Sequence, residues 1–143
     1  MTPKAIVVAH ADLAAGLVSA VEAITGLGGM FVAVSNTGLG SAELAVTMSA
    51  TLKEIGSRVV FTDLQMGSCS MAAHRLMRER ADVIIVTGVN LPMLLYAATH
   101  ESDPPETMAA QALERAREAL RVVTVATPKG TPAATPPERP GAD

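Results

Sequence analysis

One cysteine in 143 residues, Cys69, excludes a disulfide framework, and three scattered histidines add no structural zinc set to it. Aromatic residues amount to 2%, with no Trp, one Tyr and two Phe, which removes the stacking platforms that hold single-stranded nucleic acid. Lys and Arg together number 11 against 14 Asp and Glu, a formal charge of −3, so no basic field exists for a phosphate backbone. No apolar run reaches the about 20 residues that a membrane span requires. Met1-Thr-Pro-Lys4 leads straight into a strand-like run, with no signal peptide before it. These absences predict a cytoplasmic protein without a nucleic-acid partner. What is present is aliphatic: 49% apolar and 17% charged residues exclude global disorder. They ask for one domain whose core is Ala, Val, Leu, Ile and Met.

Strand and helix signals alternate. Residues 5–9 (AIVVA) form a short continuous apolar run, as a strand buried on both faces would. Asp12 is expected to cap a helix over 13–25, with Leu13, Leu17, Val21 and Ile24 on its inner face and the Gly26–Gly29 region ending it. Residues 30–34 are a second strand. Ser41 is expected to cap a helix carrying Leu44, Met48, Leu52 and Ile55, stopped by Gly56. Residues 58–62 make a third strand, the small-residue turn 63–70 feeds a helix to about residue 80, and 82–87 are a fourth strand. Asn90-Leu91-Pro92 opens a short apolar helix. Asp103-Pro104-Pro105-Glu106 opens another, with Met108, Ala112, Leu113, Ala116 and Leu120 inward. Residues 122–126 (VVTVA) are a candidate fifth, edge strand. The tail 127–143 carries five of the nine prolines and is expected to be disordered, leaving 1–126 as the folded unit.

Successive β-α-β units imply right-handed crossovers and an α/β, doubly wound, mostly parallel four-stranded sheet with helices on both faces. Ligands in such folds sit outside the carboxyl ends of the strands. Four stretches lie there: His10, Ser35-Asn36-Thr37-Gly38, Asp63 to Ser70, and Gly88-Val89-Asn90. A histidine one residue beyond a buried strand reads either as a rim side chain with a structural hydrogen bond or as a reactive group. Asp63, at the same end of strand three, gives the reactive reading a mechanism. A carboxylate bonded to one imidazole nitrogen fixes the tautomer and leaves a lone pair on the other. Asp63 reads equally as a loop-end carboxylate. Gly67-Ser68-Cys69-Ser70 offers either a helix cap or an anion site made of backbone N–H groups at a helix start, with the Ser68 and Ser70 hydroxyls assisting. Neither GxxxxGK[ST] nor a GxGxxG after a strand is present, so no nucleotide cofactor is implied. Cys69 reads as a small turn-filling residue whose helix-start position could also lower its pKa. His74 reads as part of a solvated helix face, and His100 as a favourable helix-end group.

Three of these stretches together resemble the IIA component of the mannose-type sugar phosphotransferase system over about residues 4–122. They are Ala5-Ile-Val-Val-Ala-His10 with Ala14-Ala15-Gly16-Leu17, Phe61-Thr62-Asp63 with Gly67-Ser68, and Thr87-Gly-Val-Asn-Leu-Pro-Met-Leu-Leu95. The resemblance implies a phosphocarrier: His10 accepts a phosphoryl group through Nε2 from HPr and passes it to a IIB subunit. Asp63 would hold Nδ1–H, and the amides near Gly67 and Ser68 with the Ser68 hydroxyl would receive the phosphoryl oxygens. No metal or other cofactor is implied. It also implies a homodimer that meets the membrane only through IIC and IID subunits. The family turn reads Gly-Gly-Ser-Pro, whereas this chain has Met66-Gly67-Ser68-Cys69. Losing a glycine would restrict backbone approach to phosphate, and losing proline would loosen the start of the third helix. Members of the family often continue through an Ala/Pro-rich linker into a IIB domain, whereas here the tail is read as terminal. Two other roles fit the same histidine: a phosphotransfer subunit of dihydroxyacetone kinase, and a regulatory module that signals by the phosphorylation of His10.

Overall fold

Five consecutive buried residues, Ala5–Ala9, form strand β1, and their burial on both faces follows from a central position in a parallel sheet. The computed structural model describes residues 1–126. Within them β2 spans Phe31–Ser35, β3 Val59–Thr62 and β4 Ile84–Val86, in the spatial order β2-β1-β3-β4. Every pair is parallel. Helices α1 (Leu13–Thr25), α2 (Ser41–Ile55), α3 (Ser68–Glu79), α4 (Leu91–Thr99) and α5 (Pro105–Ala119) complete the chain. The doubly wound α/β architecture expected from the alternation is therefore present.

Side-chain alternation along the strands divides the core in two. Ala5, Val7 and Ala9 of β1, with Phe31, Val59 and Phe61, point to the face covered by α1, α4 and α5. Ile6 and Val8, with Val34 and Val60, point to the face covered by α2 and α3 through Leu44, Met48, Leu52, Ala72 and Leu76. Because α1 and α2 lie on opposite faces, the winding reverses beside β1, where an open α/β sheet leaves its ligand crevice.

Several local expectations shift. In α1 the buried residues are Ala14 and Val21, while Leu13 and Ile24 are exposed. Neighbouring helix positions point about 100° apart, so the face that buries Ala14 with Val21 turns Leu13 and Ile24 toward solvent. Asp12 makes no side-chain cap hydrogen bond, and Gly40 rather than Ser41 is the N-cap of α2. Gly56, in the left-handed region at φ 67°, does end α2. Asn90 caps α4 by accepting from the Met93 amide at 3.0 Å. Leu120 falls outside α5 as its C-cap and is exposed, since the chain turns extended there. Residues 122–126 carry no strand, and Val122, Val123 and Val125 are exposed. The expected fifth strand is therefore not formed among the described residues, where the sheet has four strands. The tail 127–143 lies outside the described residues.

Candidate functional site

The register brings the site together. Val8 of β1 pairs with Thr62 of β3, so the residues that follow, on one side Ala9 and His10 and on the other Asp63, leave the sheet side by side. Asp63 Oδ2 accepts from the His10 backbone amide at 2.9 Å and from the His10 ring at Nδ1, 2.7 Å away. Its other oxygen, Oδ1, accepts from the Leu64 amide at 2.9 Å. Burial by itself would raise the Asp63 carboxyl. The two hydrogen bonds from His10, the attraction of the ring and the Leu64 amide outweigh burial and hold it below its ordinary range. With the carboxylate ionised and acceptor-only, Nδ1 donates in this bond, and the neutral tautomer that fits it carries its lone pair on Nε2. The His10 side chain is 42% exposed and that of Asp63 only 7%, so the base is presented to solvent while its orienting partner is not.

The turn after β3 lies against the Nε2 side of the ring. Gly67 sits at φ 108°, a conformation L side chains rarely adopt, and a Cβ there would lie 3.5 Å from His10 Cε1. This is the glycine of the turn that the backbone requires. Met66, where the related family has another glycine, is not in the left-handed region, so that replacement costs the backbone little. Gly67 is the N-cap of α3 and offers no side-chain cap, so the first amides of the helix have no side-chain acceptor. Ser68 Oγ lies 3.5 Å from His10 Nε2.

Ser70 does not share that surface. It is buried, and its hydroxyl donates to the Gln65 carbonyl at 2.7 Å, closing the 65–70 turn. Its expected contact with phosphate is therefore replaced by a structural one. Cys69 takes the position of the family's proline, yet α3 still begins at Ser68. Its Sγ is buried 3.8 Å from His10 Nδ1. Burial, followed by the charge of Asp63, pushes the thiol up to about 11, which removes the thiolate character that a helix start alone would favour. His10, Asp63 and Cys69 bring nitrogen, oxygen and sulfur donors within 4.8 Å of one another. In the arrangement described, the His10 Nδ1 to Asp63 Oδ2 hydrogen bond engages two of those three donors with each other. His74 and His100 lie elsewhere, bonded through Nδ1 to the Ser70 and Tyr96 carbonyls at 2.8 Å each.

Asn36, in the strand-end stretch after β2, has a role that its sequence position alone does not indicate. At the end of β2, its Oδ1 accepts from the Ala11 amide at 3.1 Å, and its Nδ2 donates to Ser68 Oγ at 3.1 Å. One amide thus ties the loop after β1 to the start of α3. The strand-end rule already placed Asn36 at this rim; the missing signal was the strand order, which puts β1 between β2 and β3. Ala11, the one non-glycine residue with positive φ (51°) among those described, turns the chain sharply after His10. Ser35 Oγ holds that turn by donating to the Ala11 carbonyl at 2.8 Å.

The model of the family described as PTS system fructose IIA component matches residues 4–114. Among solved structures, the phosphotransferase system component EIIA from Streptococcus agalactiae is similar at 25% identity, with a TM-score of 0.70 over 83% of this chain and 95% of its own. The mannose/sorbose specific IIA subunit from Enterococcus faecalis shares the fold at 23% identity, with a TM-score of 0.74 over 92% and 100% of the two chains. No curated protein matches significantly. With the family match spanning most of the chain and covering both His10 and Asp63, this protein belongs to the PTS system fructose IIA component family.

Proposed function

We propose that His10 is a phosphoryl acceptor and donor, taking the group from phospho-HPr on Nε2 and passing it to a IIB subunit. The observation that carries this reading is the His10 Nδ1 to Asp63 Oδ2 hydrogen bond of 2.7 Å, which directs Nε2 of a half-exposed ring away from the carboxylate as the nucleophilic nitrogen. In the first step the Nε2 lone pair attacks phosphorus, the P–N bond to the donor imidazole breaks, and the donor keeps that electron pair. The second step is the same displacement with His10 as leaving group. The phosphorus is already activated, so the chain's task is positioning and charge stabilisation. Asp63 holds the ring. Gly67 leaves room beside Cε1, and the first amides of α3 with the Ser68 hydroxyl receive the phosphoryl oxygens. Exposed Leu64, Met66 and Met71 flank the site and supply apolar contact for a protein partner.

Incubation with phosphoenolpyruvate, Enzyme I and HPr is the direct test, read by intact mass. One acid-labile phosphoryl group on the wild-type chain is expected. An uncharged chain beside demonstrably charged HPr would sink the reading.

The same proposal includes a homodimer. β4 is a three-residue edge strand, and Val122, Val123 and Val125 stand exposed beyond α5. A second copy that pairs with this segment would cover both. Sedimentation should give a dimer for the full chain and a monomer for a chain ended at Leu120. A monomeric full chain at micromolar concentration would remove the dimer from the proposal.

No helix among the described residues is long and apolar enough to cross a membrane.

A further inference from the structure

At the other end of the sheet from His10, the first residues of β1, β2 and β3 (Ala5, Phe31 and Val59) line a cavity of about 480 Å³. That volume suits a small metabolite. Its wall carries four cationic side chains, Lys4, Lys53, Arg58 and Arg80. Arg58 is occupied: one terminal nitrogen pairs with Glu106 at 2.6 Å and the other donates to the Asp82 carbonyl at 3.1 Å. Lys4 and Lys53 make no ion pair among the described residues.

Arg80 is the informative one. Its Nε stands 3.7 Å from Asp82 Oδ1, while its Nη1 is shielded from solvent and has no hydrogen-bond partner. A guanidinium nitrogen in that condition lacks an acceptor that folding ordinarily supplies. The side chain as a whole is 24% exposed, so rotation about its outer torsions can present Nη1 to an oxygen lodged in the cavity. Carboxylates share the wall: Asp82, Glu101 and Asp103. They bring the cavity close to neutrality, which disfavours a bare multivalent anion. They also accept hydrogen bonds only, so they suit a ligand that brings hydroxyl donors.

We infer that this cavity binds a small polyhydroxylated oxyanion, a sugar phosphate or sugar acid. Its oxyanion would meet Arg80 and the free lysines, and its hydroxyls would donate to the carboxylates. The site is separate from the His10 constellation, which lies at the carboxyl ends of the strands.

Amide NMR titration of the full chain with glucose 6-phosphate, gluconate and inorganic phosphate tests the inference. Glucose 6-phosphate or gluconate should shift the amides near residues 4–5, 31, 57–59 and 80–82, and inorganic phosphate should bind more weakly. Arg80→Met should weaken binding about tenfold or more. Lys53→Met, on the solvent side of the last turn of α2, should weaken it less and guards against misfolding of the first variant. His10→Ala should leave it unchanged. Absence of shifts with all three probes would overturn the inference. So would shifts confined to Gly67–Ser70, equal binding of inorganic phosphate, or undiminished affinity in both cavity variants.

Discussion

Replacement of His10 by alanine abolishes phosphoryl acceptance and leaves the fold standing. The expected loss is at least about 10⁴-fold in transfer rate, the scale on which removing an enzyme's nucleophile acts. No neighbour substitutes for it. Cys69, the nearest other nucleophile, is a buried thiol pushed up to about 11. The Ser68 hydroxyl lacks a general base once the ring is gone. Folding survives because Asp63 is not orphaned by the change: the amide of residue 10 and that of Leu64 still donate to its two oxygens. A denaturant midpoint close to wild type, with no phosphorylated species by intact mass, is the predicted pair of results. Phosphorylation of the alanine variant would place the acceptor elsewhere.

Asp63→Asn is the second large effect and separates orientation from nucleophilicity. An amide at this position can donate through its nitrogen to Nδ1, which moves the ring proton to Nε2 and cancels the lone pair that must attack. Transfer should fall about 10²–10⁴-fold, as in other histidines that lose an orienting carboxylate. The stability cost should be about 1–2 kcal/mol, since a charge-assisted hydrogen bond becomes a neutral one. The pH dependence has a definite sign. Asp63 is held below its ordinary value in the folded chain, so its contribution is fully present above the unfolded carboxyl pKa of about 4. That contribution is lost as pH falls through the lower, folded value. Urea midpoints measured from pH 6 downward should therefore fall more steeply for wild type than for Asp63→Asn. Parallel curves would show that the ionised Asp63 carboxylate contributes nothing to folding.

Much of this was legible in the residues themselves. β1 and the span of α1 follow from an uninterrupted apolar run and a glycine stop, and His10 and Asp63 follow from the rule that parallel sheets work at their carboxyl ends. What was not legible depended on contacts between distant segments. The inner face of α1 was not legible because leucine spacing marks hydrophobicity alone, whereas the face that meets the sheet carries Ala14 and Val21 and leaves Leu13 and Ile24 outside. Ser70 looked equivalent to Ser68 in sequence; one turn of chain hides it against the Gln65 carbonyl. The contacts of Asn36 were not legible because nothing local says that β2 lies beside β1 on the side away from β3. The valines at 122–126 have strand character, yet they form no strand and stand exposed, because pairing depends on where the chain runs and not on composition alone.

The half-exposed imidazole has a kinetic consequence for a relay. A phosphoryl group carried on Nε2 would project outward from the rim, already in reach of an incoming protein. Arrival and departure would then need no lid to open, and throughput would be second-order, set by how often partners collide in register. Water has the same access, so the carrier's working lifetime becomes a race between encounter and hydrolysis. Cellular concentration of the next protein in the chain, rather than any slow rearrangement of this one, would decide that race.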